Sequence, residues 1–210
     1  MFKKSLLAIA LVSMSSAALS ATTANLKVIG TITPPTCTIN ADTNAVVEYT
    51  FNISPDLFPS DGSDYKAPSE TKNIEIVCDA STYLSFDSTD ERDDSIYQAG
   101  DNNFGLGTFG SNNSKIGFYT VTMKNATVKE NPTANAENVG ISTNASTYNT
   151  SALLSKSKTM AWAKSVNNLA QGQIFAADFM VTPTFNKSLR TTPDKVSFDG
   201  SAVLTFGFSI

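Results

Sequence analysis

Short runs in which every second residue is apolar recur along this chain, separated by clusters of Pro, Gly, Asn, Asp and Ser. A period of two marks strands with one buried face. Leu26, Val28 and Ile32 begin such a run in "NLKVIGTIT", and Pro34 and Pro35 end or bend it. "AVVEYTFNI" is rich in β-forming residues and leads into a turn region from Ser54 to Pro68. Ile74, Ile76 and Cys78 share a face of "KNIEIVCDA", and "TYLSFDS" follows. "KIGFYTVTM" alternates again, as does "VGIS" more weakly. Phe175, Ala177, Phe179 and Val181 fall on one side of "QIFAADFMVTPTF". From Phe198 to Ile210 the even positions read Phe, Gly, Ala, Leu, Phe, Phe, Ile. Helical periodicity is hard to find. Seven or eight short strands joined by turns predict an all-β antiparallel sandwich.

Two stretches interrupt that rhythm. "DSTDERDDS" reads as a charged connector, and the Asn-, Thr- and Ser-rich residues near 125–160 read as an exposed, partly mobile elaboration. The sequons at Asn125 and Asn144 lie within it, and in a stretch so rich in Asn, Ser and Thr they arise by chance.

The first residues belong to targeting, not to the fold. Lys3 and Lys4, the apolar "LLAIALV" and the small residues of "SSAALSA" form a secretory signal peptide over 1–21, cleaved after Ser20 or Ala21. The apolar centre is too short to span a membrane. An exported single domain over 30–210 is expected, preceded by a short extension over 22–29. With thirteen Phe, six Tyr and one Trp, and 41% hydrophobic residues, the chain can build a real core. The net charge of −4 supplies no basic footprint for nucleic acid, and the absence of polybasic runs from the mature chain argues against anionic membranes. Neither nucleic acid nor membrane insertion is expected.

Cys37 and Cys78 are the two cysteines, and in an exported protein an isolated pair is most simply one disulfide. A metal site needs more ligands than two thiols, and a redox pair is normally closely spaced. The chain has no histidine, so neither a Ser-His-Asp arrangement nor an imidazole metal ligand exists. Asp87, Asp90, Glu91, Asp93 and Asp94 form the densest acidic cluster but lack the spacing of a calcium loop, and read as a solvated loop. "FGLGTFG" lacks the Lys-Ser/Thr of a phosphate loop, so its glycines are assigned to a bulge or tight turn between aromatic anchors. Trp162 is assigned to packing in preference to a sugar platform. No enzyme activity, metal or cofactor is expected.

In their order along the chain these features resemble the subunits of chaperone–usher fimbriae (pili) of Gram-negative bacteria. The resemblance is carried by the signal peptide, "VIGTITPPTC" with Cys37 seven residues after Gly30, Cys78 ending "NIEIVCD", the Phe-rich "FAADFMVTPTF" and the alternating C-terminal strand. Within that group the chain looks closest to the GltF-like fimbrial-type proteins of poorly known function, through "GTITPPTC", "STDERDDS" and "NNFGLGTFGSNNSKIGFYTV".

The resemblance implies an immunoglobulin-like sandwich that lacks its last strand. The missing strand leaves an apolar groove, filled first by a periplasmic chaperone and then by the N-terminal extension of a neighbouring subunit, with an outer-membrane usher as a further partner. Leu26 and Val28 are then the donor-strand plugs, and Ala202, Leu204, Phe206, Phe208 and Ile210 line the groove. The expected role is a structural fimbrial subunit contributing to cell adhesion, exported to the periplasm and on to the cell surface. The alternative is a tip adhesin or periplasmic binding module that recognises glycan or protein on a host or matrix through its loops. Three departures from the family's pattern stand out. Ser209 is at the penultimate position, where an aromatic is usual, and Gly200 lies nearer the end than usual, both of which bear on strand register; the N-terminal extension is short, which bears on how far the protein polymerises.

Overall fold

The structure, a computed structural model, describes residues 24–192 and 195–208. The signal peptide over 1–21 and groove position Ile210 lie outside the described residues. Residues 24–33 form no strand. The run expected to start a strand at Leu26 instead stands without a ladder partner, with Leu26 and Val28 97% and 98% exposed. Alternation records which face a strand would bury, and among the described residues 24–33 it finds no ladder.

From Pro34 onward the described residues form fourteen strands. The first seven are β1 (Cys37–Ile39), β2 (Tyr65–Lys66), β3 (Glu70–Asp90), β4 (Phe104–Gly105), β5 (Thr108–Phe109), β6 (Ser114–Lys115) and β7 (Gly117–Lys129). The remaining seven are β8 (Glu137–Asn138), β9 (Gly140–Thr143), β10 (Ser151–Leu153), β11 (Met160–Ser165), β12 (Asn168–Leu169), β13 (Gln171–Phe185) and β14 (Ala202–Phe208). All pairings are antiparallel. One layer runs β10, β7, β13, the first part of β3, then β1. The other runs β9, β11, the last part of β3, then β14.

Strand β3 therefore serves both layers. Its even residues point inward from Ile74 to Cys78 and again from Leu84 to Asp90, while Asp79, Ala80, Ser81 and Tyr83 are exposed where the strand passes between layers. The polar interruption makes one strand of 21 residues read as two in sequence. Strand β7 keeps its inward phase by a different device. Tyr119, Val121 and Met123 are buried, then Ala126 and Val128, so the phase slips by one at Asn125. Asn125 has φ +51°, and the pairing with β13 shifts between Ala176 and Asp178. That is a bulge, and Asn tolerates the left-handed region better than most residues.

The inner faces meet through aromatic side chains. Phe86 of β3 lies 5.9 Å from Trp162 and 6.0 Å from Phe179. Trp162 contacts Phe175 at 5.5 Å and donates its indole N–H to the Ala176 carbonyl at 3.0 Å. The buried Trp has its polar atom satisfied, as a core position requires. In "FGLGTFG", Phe104 is buried and Gly107 and Gly110 adopt φ +87° and +71°, a conformation that favours glycine. The stretch near 125–160 is more than an elaboration: it supplies β8, β9 and β10, and Ile141 and Leu154 enter the core.

Candidate functional site

Strand β14 is bonded along one edge only. It pairs with β3 from Ala202 opposite Asp90 to Phe208 opposite Leu84, and its other edge has no strand partner among the described residues. A second unpaired segment lies across a cleft from it. Residues 45–53 alternate between half-buried and exposed, yet belong to no strand and make no main-chain ladder bonds among the described residues. The cleft between them holds about 720 Å³ and continues into a second of about 540 Å³, with Glu48, Tyr49, Phe51 and Phe198 lining both. Its floor is the sandwich core itself: Leu106, Tyr119, Val121, Leu154, Phe179 and Val181.

Sequence explains both walls. In "AVVEYTFNI", Ala45, Val47, Tyr49, Phe51 and Ile53 point toward the core and the residues between them toward solvent. In β14, Ala202, Leu204 and Phe206 point inward, and Val203, Thr205 and Gly207 outward. Phe206 rests 5.3 Å from Phe86. The 45–53 wall is held by side chains. The Tyr49 hydroxyl donates to the Phe179 carbonyl at 2.9 Å, and the Thr50 amide donates to the Glu70 carboxylate at 3.1 Å. The Lys72 ammonium lies 5.5 Å from the centre of the Tyr49 ring.

Burial, followed by the Glu70 and Asp178 carboxylates, pushes the Tyr49 hydroxyl up to about 12. Tyr119, in the floor, is raised by burial and then by Asp90 and Glu91. For Tyr49 the folded state holds the neutral phenol. Its contribution is complete below the ordinary value near 10 and is lost as pH rises through 12. Ultraviolet titration is expected to show a tyrosine ionising about two units late that is missing in Tyr49→Phe, with that variant losing about 1 kcal/mol of stability. An unchanged titration in Tyr49→Phe would assign the late step elsewhere and remove the tether.

Cys37 and Cys78 are joined, with their Cα atoms 4.0 Å apart as directly paired residues of β1 and β3. Of the groove positions expected from sequence, Ala202, Leu204 and Phe206 line the cleft. Phe208, at the end of β14, is 40% exposed and is not among the lining residues. Leu26 and Val28 are exposed and unpaired. The opposite wall was visible as alternation in "AVVEYTFNI", but nothing local marks it as lacking a ladder. The floor residues come from β7, β13 and two loops, and only the tertiary fold gathers them. The acidic cluster is not wholly a solvated loop, because Asp90 is buried and hydrogen-bonded.

Fold and site together define an all-β, antiparallel, sandwich-like protein with one disulfide and an apolar cleft open between two main-chain edges that have no ladder partner among the described residues. The chain belongs to the family described as "Protein of unknown function (DUF1120)", which it matches over residues 26–143, more than half its length. That span takes in the extension from Leu26 onward, the disulfide, the 45–53 wall and strands β1 to β9. No curated protein matches the chain. Among the described residues no helix is long and apolar enough to cross a membrane. The disulfide points to folding in an oxidising compartment.

Proposed function

We propose that this protein is a structural subunit of a fimbrium or fimbria-like assembly, exported to the periplasm and built by strand addition in trans. The observation that carries the reading is the apolar cleft whose two long walls each present a main-chain edge with no ladder partner among the described residues. An unpaired apolar edge invites pairing with another chain. Strand addition satisfies it, main-chain bonds supplying affinity and alternate side chains supplying register.

The occupant in the assembly is the N-terminal extension of a neighbouring copy. Leu26 and Val28 would lie on one face of this segment when it is extended, with Ile32 continuing that face. The nine residues 24–32 span about 30 Å when extended, longer than the roughly 23 Å of a seven-residue strand such as β14. A periplasmic chaperone would supply the same strand before assembly, and an outer-membrane usher would be the place of exchange. The function is mechanical and adhesive, not catalytic.

The test is expression of the mature chain with its operon's chaperone, alongside a Leu26→Glu/Val28→Glu variant. Heat-labile, SDS-resistant ladders are expected from the parent and absent from the variant. A stable monomer in both, which also fails to bind a synthetic peptide of residues 22–33, overturns the reading and leaves the fold untouched.

A further inference from the structure

Hydrophobic alternation alone does not settle the register of the C-terminal wall. On the segment from Phe198 to Phe208 the even positions are Phe198, Gly200, Ala202, Leu204, Phe206 and Phe208, of which Phe198, Ala202, Leu204 and Phe206 are half-buried and Gly200 and Phe208 exposed. A slip by one residue against β3 would turn the half-buried Phe198, Ala202, Leu204 and Phe206 outward, so the pattern forbids it. A slip by two keeps all of them on the same face and preserves the antiparallel bonding sequence. Phe208 would then occupy the place of Phe206 opposite Phe86, one large aromatic for another. The apolar pattern therefore leaves this wall with more than one acceptable position.

A polar junction at the start of the wall makes the distinction. The buried Asp90 carboxylate, at the end of β3, accepts from the Gly105 amide at 2.8 Å and from the Arg92 amide at 2.8 Å. The next residue reaches the wall: the Glu91 amide donates to the Ser201 carbonyl at 2.9 Å, and the Ser201 hydroxyl donates to the Glu91 carboxylate. Arg92 completes the set, with Nε donating to the Asp199 carbonyl at 3.3 Å and its terminal nitrogen paired with the Asp199 carboxylate. Between these contacts Gly200 passes so close to Tyr119 that a Cβ would lie 2.5 Å from a ring carbon. A side chain there would have to displace the buried Tyr119 ring. A slip by two in either direction leaves the Asp90 bonds and offers the Glu91 amide another carbonyl, but it loses the side-chain contacts, with Val203 or Asp199 at Glu91 in place of Ser201. Phe198 or Ala202 would face Tyr119 in place of Gly200, and Asp199 would leave Arg92.

We propose that Asp90, Glu91 and Arg92, with Asp199, Gly200 and Ser201, are positioning residues that lock the C-terminal wall in one of several hydrophobically equivalent registers. The locked register fixes which pockets an incoming strand meets. Asp199, Gly200 and Ser201 themselves line the cleft, so the lock sits at the mouth it controls. The control of an incoming strand rests on the strand-addition reading; the lock itself does not.

Two measurements separate them. Cross-strand nuclear Overhauser contacts report register directly in the disulfide-bonded chain. The parent is expected to show Leu204 beside Ser88 and Phe206 beside Phe86. A Glu91→Ala/Arg92→Ala variant, altered at exposed or partly exposed side chains, is expected to add a second set displaced by two, with Phe206 beside Ser88 or Phe208 beside Phe86. Asp199→Ala is expected to do the same from the other side, and Arg92→Asp combined with Asp199→Arg to restore the single set. Affinity for the peptide of residues 22–33 is expected to fall about tenfold in the two loosened variants, the scale of one poorly filled apolar pocket. A single parental set of contacts in both loosened variants overturns the lock. A parent that binds no peptide overturns the strand-addition reading and leaves the contact test decisive for the lock.

Discussion

Replacing Cys37 and Cys78 together by Ala is expected to lower the unfolding free energy by about 4 kcal/mol, the chain-entropy value for a bridge closing roughly this length of loop. The bridged residues are 41 apart in sequence. The loop they close contains the 45–53 wall, which has no ladder of its own and relies on Tyr49, Thr50 and half-buried side chains. Much of the effect lies in the unfolded chain, because the native junction has other contacts. The Asp79 amide donates to the Thr36 carbonyl at 3.0 Å, and the Asp79 carboxylate accepts from the Thr36 amide at 3.0 Å and its hydroxyl at 2.6 Å. Strand β1 should therefore stay paired with β3 in the folded variant. Denaturation followed by the fluorescence of Trp162, the single tryptophan, gives the free energy. A loss below about 1 kcal/mol would mean that the reduced, unfolded chain already keeps this loop closed.

The fold class was legible because alternation reports burial of one face without needing a partner. The Cys37–Cys78 pair, the inward faces of the first part of β7 and of β13, the buried Trp162 and the inward side chains of Ala202, Leu204 and Phe206 are legible in the sequence. What local pattern lacks is identity of the neighbour. "NIEIVCD" and "TYLSFDS" form one strand because β13 receives its first part, and β14 and β11 its last, and the polar residues between them lie where it changes layer. The run from Leu26 and the run from Ala45 alternate like strands and have no ladder within the described residues. Asp90 sits in an acidic cluster that reads as solvated. Its partner Gly105 lies 15 residues away, and the chain around Ser201 that meets the neighbouring Glu91 comes from the far end of the sequence. A buried carboxylate is recognised by its donors, and sequence does not display them.

Phe86→Ala is expected to cost about 3–5 kcal/mol, the range for emptying a large aromatic from a packed core. The site is 1% exposed, and its ring meets Trp162, Phe179 and Phe206, residues of both layers and of the groove wall. Collapse around the vacancy is limited because β3 is fixed on both sides at this point, by β11 and by β14. Phe206→Ala should cost less, since that ring is half-buried and one side of it faces the open cleft. The two substitutions are not expected to add. Once Phe86 is gone, Phe206 has lost its aromatic neighbour, and contacting residues typically couple by about 0.5–3 kcal/mol. A double-mutant cycle by chemical denaturation measures that coupling, and additivity within about 0.5 kcal/mol would show that the wall is energetically independent of the core. Coupling of the expected size has a consequence for the cleft. The inner face of β14 is then held from behind by Phe86, while its outer edge stays free to pair. On the strand-addition proposal, a rigid floor under an unsatisfied edge would give an incoming strand fixed pockets and keep the cost of ordering the wall out of the binding step.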